Sequence, residues 1–202
     1  MKTGTIADLK NLHNGKRVFV IASGSSINHL DLTPLKSRIV MGLNRSFLVW
    51  PNSYYHCVFD HRLFEEYETE LQQTRFLITL ENRPWGIPVK LLGSEGFSWD
   101  LTEGIYSGYT IAFFALQLAV YLGFKEIFYL GLDLGHHEGD THFFGKDYRS
   151  LNHEQTEFPK MRRSFENIAS KLAQSGIEVR NCSPISTLEC FEYLSFEEAI
   201  AR

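Results

Sequence analysis

The chain has 202 residues, 44% of them apolar and 22% charged, with a formal net charge of −4. That length suits one domain with a sizeable core, and the acidic balance argues against binding to a nucleic-acid backbone. No window reaches the roughly 18 uncharged apolar residues of a membrane span, the N-terminus lacks a signal-peptide core, and Cys57, Cys182 and Cys190 have no metal-finger spacing, so a reduced, cytoplasmic setting without disulfides is expected.

Residues 1–16 read as a polar lead-in with a short helix over 6–12. Residues 17–22 (Arg-Val-Phe-Val-Ile-Ala) form an uninterrupted apolar run, the pattern of a strand buried on both faces of a parallel sheet. It ends in Ser23-Gly24-Ser25-Ser26, small side chains that let backbone N–H groups approach a phosphate or sugar. The turn has neither the GxGxxG dinucleotide fingerprint nor the GxxxxGK[ST] phosphate loop. After a helical turn at 31–35, a second strand over 38–43 ends in Asn44, and a third over 54–59 ends in Asp60. Asn and Asp are also ordinary loop and cap residues, and the structural and ligand-binding readings of each stand side by side.

Residues 61–73 predict a helix with an apolar stripe (Leu63, Phe64, Tyr67, Leu71) and a solvated acidic face. A fourth strand covers 75–80, and 81–104 is an irregular stretch suited to a flap or substrate-facing loop. A helix apolar nearly all round runs to about 122. Ser107 is its expected N-cap, with Gly108 leaving the first-turn amides open to an anion; a plain cap is the alternative. Gly123 ends it, and a strand over 127–132 follows.

That strand delivers a window, Gly131 to Gly145, that holds three histidines, three carboxylates and four glycines and opens a second irregular stretch, 134–152. Pro159 suits the first turn of a helix running to about 174, residues 177–181 form a last strand leading to Ser183 and Ser186, and 195–201 form a closing helix. The alternation predicts an α/β fold: a single Rossmann-like domain, doubly wound, with a mostly parallel sheet, helices on both faces and a ligand crevice beyond the strand carboxyl ends.

Lys16 to Ile27, the Gly42-Leu43-Asn44-Arg45 strand end, the block from Ser107-Gly108 to Gly131-Leu132-Asp133, Thr141-His142-Phe143-Phe144-Gly145 and Asn181-Cys182-Ser183-Pro184-Ile185-Ser186 occur in that order. In this the chain resembles bacterial CMP-sialic-acid-dependent sialyltransferases and the related Maf/MptE-like family, which includes 6-hydroxymethylpterin diphosphokinases. The resemblance implies a GT-A-like variant of the fold and a nucleotide site at Ser23, Gly24, Ser25 and Asn44. It places Ser107-Gly108 at the donor and makes His142 the catalytic base. Three departures bear on the donor: the usual Asn-Gly-Pro-Ser-Leu turn is Ser23-Gly24-Ser25-Ser26-Ile27 here, an Asn near the third strand end is Asp60, and the tyrosine that assists the leaving phosphate is replaced near Gly135.

The expected reaction moves a sialic-acid-like sugar from a CMP donor to a glycan acceptor hydroxyl. His142 takes the proton, oriented by Asp133 or Asp140, and Asp60, Gly131 and Ser183 border the nucleotide. Lys146, Tyr148 and Arg149 are further candidates for the leaving group. No metal is required, because the donor carries one phosphate, and a homo-oligomer is compatible with the sequence. Three alternatives stay open: an Mg-ATP diphosphokinase with Mg²⁺ on Asp60 and Asp133, a non-catalytic nucleotide or glycan-binding module, and a metal site at His136, His137, Glu138, Asp140 and His142, whose ligand types suit Zn²⁺ or Mn²⁺ without a standard spacing.

Overall fold

The computed structural model of the chain describes residues 4–135, 142–145 and 151–202, with side chains from 156 onward in the last segment. Its elements in order are β1 (Arg17–Ile21), β2 (Val40–Leu43), β3 (Tyr55–Val58), α1 (Arg62–Glu66), α2 (Glu68–Gln72), β4 (Phe76–Leu80), β5 (Ile87–Val89), β6 (Leu91–Gly93), β7 (Ile105–Tyr106), α3 (Ile111–Tyr121), β8 (Glu126–Leu130), α4 (Leu151–Gln174), β9 (Glu178–Asn181) and α5 (Phe196–Ala201). Short 3-10 turns fill several of the connections.

Seven strands form one sheet in the order β5-β4-β3-β2-β1-β8-β9, and every pairing in it is parallel. The expected Rossmann-like α/β architecture is therefore present. The uninterrupted apolar runs are explained by burial on both faces. Val18 and Val20 of β1 pack towards α3 and α4, whereas Phe19 and Ile21 join Phe128, Leu130 and Phe196 on the opposite face. Residues Ala112 to Ala119 of α3 are all buried, which is what a helix apolar on every side requires. Its buried Gln117 is fully paired: the amide donates to Tyr106 O and Phe113 O and its carbonyl accepts from Ser98 N and Tyr106 N. The three bonds to Ser98 and Tyr106 fasten the 98–106 segment to the central helix.

Several local expectations are corrected. The lead-in and 31–35 helices are short 3-10 turns, Ile6–Leu9 and Thr33–Ser37. The helix over 61–73 is two, broken at Tyr67, whose φ of −135° and ψ of 41° leave helical space. Its ring packs edge-on against Phe47 at 5.1 Å. The stretch 81–104 contributes β5 to the main sheet and pairs β6 with β7 in a small parallel one. Pro88 is tolerated in β5 because that strand is an edge. Pro159 lies inside α4; a proline removes one backbone bond, and the helix continues because Met161, Phe165, Ile168 and Leu172 beyond it are buried. No helix among the described residues is long and apolar enough to cross a membrane, and the three cysteines are free.

Candidate functional site

The chain enters the sheet at β1, builds outward through β2 to β5, and then returns to place β8 on the other side of β1. The loops after β1 and β8 therefore leave in opposite directions, opening a crevice at the carboxyl ends of those strands. A cavity of about 490 Å³ occupies that position. Its floor is Ser23, Gly24, Gly131 and Leu132; Asn44 and Asp60 approach from the ends of β2 and β3, Tyr109 to Ala112 from the start of α3, Phe158 and Met161 from α4, and His142 from the loop beyond β8.

The floor is locked by Asp133, whose residue is 3% exposed. One carboxylate oxygen accepts from Ser26 N at 3.1 Å, the other from Ser26 Oγ at 2.6 Å, and Ser183 Oγ donates to it as well. Ser183 Oγ also lies 3.0 Å from Ser26 Oγ. The turn after β1, the end of β8 and the segment after β9 thus meet on one carboxylate. Gly24 N donates to Gly131 O at 2.8 Å, and a Cβ at Gly24 would overlap the Asp133 carboxylate, so the turn needs glycine there. Gly131 has a φ of 70°, and a Cβ on it would strike Ile27. Asp133 is therefore a tie within the floor, and among the described residues its carboxylate bonds to Ser26 and Ser183 and not to His142.

Asn44 sits at a φ of 46° with its carbonyl accepting from His56 Nε2 at 2.8 Å, while its own side-chain oxygen is buried without a partner. His56 is wholly buried, and burial pushes its imidazole down to about 4 against the opposing effect of that bond. The side chain of Asp60 accepts from Arg62 N at 3.0 Å and pairs with the Arg62 guanidinium, while the N-cap of α1 is His61, without a side-chain cap bond. Burial raises the Asp60 carboxyl, but the Arg62 hydrogen bonds and the Arg62 and Arg45 charges outweigh it and hold it below its ordinary value.

His142 reaches the cavity on a tight turn. Phe143 N donates to Ser23 O at 2.9 Å, Gly145 N donates to His142 O at 3.0 Å, and the imidazole stacks on Phe144 with ring centres 4.7 Å apart. The Arg45 guanidinium lies over the other ring system at 5.1 Å from the Phe144 centre. His136, His137, Glu138, Asp140, Lys146, Tyr148 and Arg149 lie outside the described residues. Among the described residues no group of three His, Cys, Asp or Glu side chains is placed to hold a metal.

The structure thus gathers Ser23, Gly24, Asn44, Asp60, Gly131, Asp133 and His142 at one cavity and leaves out Ser25, Ser107, Gly108 and Ser183. Ser25 opens the 3-10 turn after β1, and Ser183 serves Asp133 from below. The helix expected to start at Ser107 starts three residues later: Thr110 is the N-cap and accepts from Ala112 N at 3.3 Å, while Ser107 Oγ accepts only from Tyr109 N. Gly108 has a φ of 54° and lies against Phe113, where a Cβ would collide with the ring. Tyr109 and Thr110, not Ser107 and Gly108, face the cavity. The sequence carried one sign of this, since Thr is itself a favoured cap residue. No protein-family model matches the chain, and neither the curated proteins nor the solved structures yield a match.

Proposed function

We propose that the chain is a nucleotide-sugar glycosyltransferase of the sialyltransferase-like kind, with a CMP-activated donor in the switch-point cavity. The observation that supports this most is Asn44: a buried side-chain amide oxygen without a partner, on the wall of a cavity at the carboxyl ends of β1 and β8, is a group that a ligand donor satisfies. The cytosine amino group is such a donor. Apolar walls from Phe59, Ile111, Phe158 and Met161 suit a base and ribose.

In the reaction, the bond between the anomeric carbon and the CMP phosphate oxygen breaks, its electron pair leaves with CMP, and the acceptor oxygen forms the new glycosidic bond. The acceptor proton passes to the His142 imidazole, which acts as the general base. The Thr110 hydroxyl and the first amides of α3 receive the departing phosphate. The diphosphokinase alternative is less well supported, because it asks Asp133 for an Mg²⁺ contact while that carboxylate holds Ser26 and Ser183.

Thermal unfolding in the presence of CMP, CDP, UDP or ATP, with Mg²⁺ or with EDTA, tests the reading. CMP is expected to raise the midpoint in EDTA, and Asn44→Ala to remove that shift. Stabilisation by ATP only with Mg²⁺ would favour the kinase, and no shift with any nucleotide would overturn the donor site.

A further inference from the structure

A second cavity, about 410 Å³, opens on the other side of Tyr109. It lies between the 95–99 segment and α4, and its volume falls in the range of small-ligand sites, roughly 300–1,000 Å³. Its composition differs from that of the first. Lys160, Arg163 and Lys171 project from one face of α4 together with Ser164 and Asn167, and the facing wall is aromatic, with Phe97, Trp99 and Tyr109. Two of the cations are already poised over rings: Lys160 Nζ is 5.3 Å from the Tyr109 ring centre and Lys171 Nζ is 5.4 Å from that of Trp99.

The charges are incompletely answered. Lys160 pairs with Glu157 at 2.8 Å, and the only acid on the cavity wall among the described residues, Glu95, accepts from the Tyr109 hydroxyl at 3.1 Å. Arg163 has no ion pair or hydrogen bond among the described residues, and neither does the Lys171 ammonium. Lys160 and Arg163, three residues apart on one helix face, repel, an arrangement that an anion between them relieves. An arginine fork suits a carboxylate, the Trp99 face suits the apolar face of a pyranose ring, and Ser164 and Asn167 suit sugar hydroxyls. Tyr109, at a φ of 64°, lines both cavities, and α4 walls both, with Phe158 and Met161 towards the first and Arg163 towards the second.

We infer that this cleft binds an anionic saccharide, a sugar bearing a carboxylate on its ring, held by Arg163 and Lys171 and stacked on Trp99. Its role as the acceptor subsite rests on the transferase reading above; the binding itself does not.

Intrinsic tryptophan fluorescence of the full chain, titrated with trigalacturonate and with uncharged maltotriose, tests the assignment, alongside a separate CMP titration. Trigalacturonate is expected to change the emission, and maltotriose to bind about tenfold more weakly or not at all. Arg163→Ala is expected to weaken trigalacturonate by roughly tenfold to a hundredfold, as loss of a charged hydrogen bond implies, and Trp99→Phe to remove most of the signal, with CMP affinity unchanged in both variants. Equal affinity for the two saccharides, no binding at millimolar concentration, or an Arg163→Ala variant that binds like the parent would each overturn it. CMP binding without saccharide binding defeats this inference alone, and saccharide binding without CMP binding defeats only the donor site.

Discussion

Asp133 and His142 come from one short window of sequence and border the same cavity, yet they are held in opposite ways. Asp133 is buried beneath the floor with its oxygens taken by Ser26 and Ser183, so that three segments of chain depend on it. His142 stands on a turn joined to β1 through the bond from Phe143 N to Ser23 O, with its ring half-buried against Phe144. A carboxylate at a strand end can thus be a fastening, whereas the proposed base is the group on the loop. Such a division is common, because a rigid scaffold positions loops that carry the chemistry.

The two residues should separate cleanly when each is removed. His142→Ala is expected to lower transfer turnover by roughly 10²–10⁴-fold, the usual worth of a general base, while the unfolding midpoint and CMP affinity stay close to those of the parent. Turnover that survives the substitution would remove His142 from the chemistry. Asp133→Ala should do the reverse: it removes the acceptor of Ser26 N and leaves the Ser26 and Ser183 hydroxyls only their bond to each other, and it is expected to cost about 3 kcal/mol of stability in urea unfolding. Asp133→Asn, which keeps one carbonyl acceptor, should lose less. If Asp133→Ala unfolds like the parent, the tie at the floor is not what holds the cavity.

A second fastening, His56 behind Asn44, sharpens the comparison through pH. In the unfolded chain its imidazole takes up a proton near 6.5, whereas in the folded chain burial delays this to about 4. Between those values the unfolded state binds more protons, so stability is complete above pH 6.5 and falls as the pH drops towards 4, by about 3 kcal/mol for this group. His13, whose imidazole is also lowered by burial, adds a loss of the same sign. Urea midpoints measured across that interval should show the slope, and His56→Gln, which retains an N–H donor for Asn44 O, should flatten it.

How far these arrangements can be read from sequence depends on how far apart the interacting residues lie. The sheet was legible because strands buried on both faces write themselves as unbroken apolar runs, as in Val18 to Ile21 and Ile127 to Leu130. The gathering of Ser23, Asn44 and Asp60 was legible too, since equivalent ends of neighbouring parallel strands lie side by side. The bond partners of Asp133 were not: Ser26 and Ser183 stand 107 and 50 residues away, and no local pattern marks them. β5 and β6 have three residues each, too short for a period to show. Trp99 and Arg163 line one cavity, and Gln117 pins the 98–106 segment on α3, a contact invisible in a helix that reads as uniformly apolar.

The smallest expected effect concerns the start of α3, where the sequence pointed to Ser107 and the cap is Thr110. Thr110 Oγ1 accepts from Ala112 N and lies on the cavity wall, so Thr110→Ala should cost about 1 kcal/mol of stability, the usual worth of an N-cap, and should also weaken CMP binding if the hydroxyl meets the phosphate. Ser107 Oγ accepts only from Tyr109 N, at 3.3 Å, and lies off the cavity. Ser107→Ala is expected to cost less than about 0.5 kcal/mol, in the range of substitutions away from special features, and to leave CMP binding alone. A reversed order, with Ser107 the costlier position in both measurements, would mean that the phosphate sits nearer Gly108 than the start of α3 and would move the donor away from Asn44.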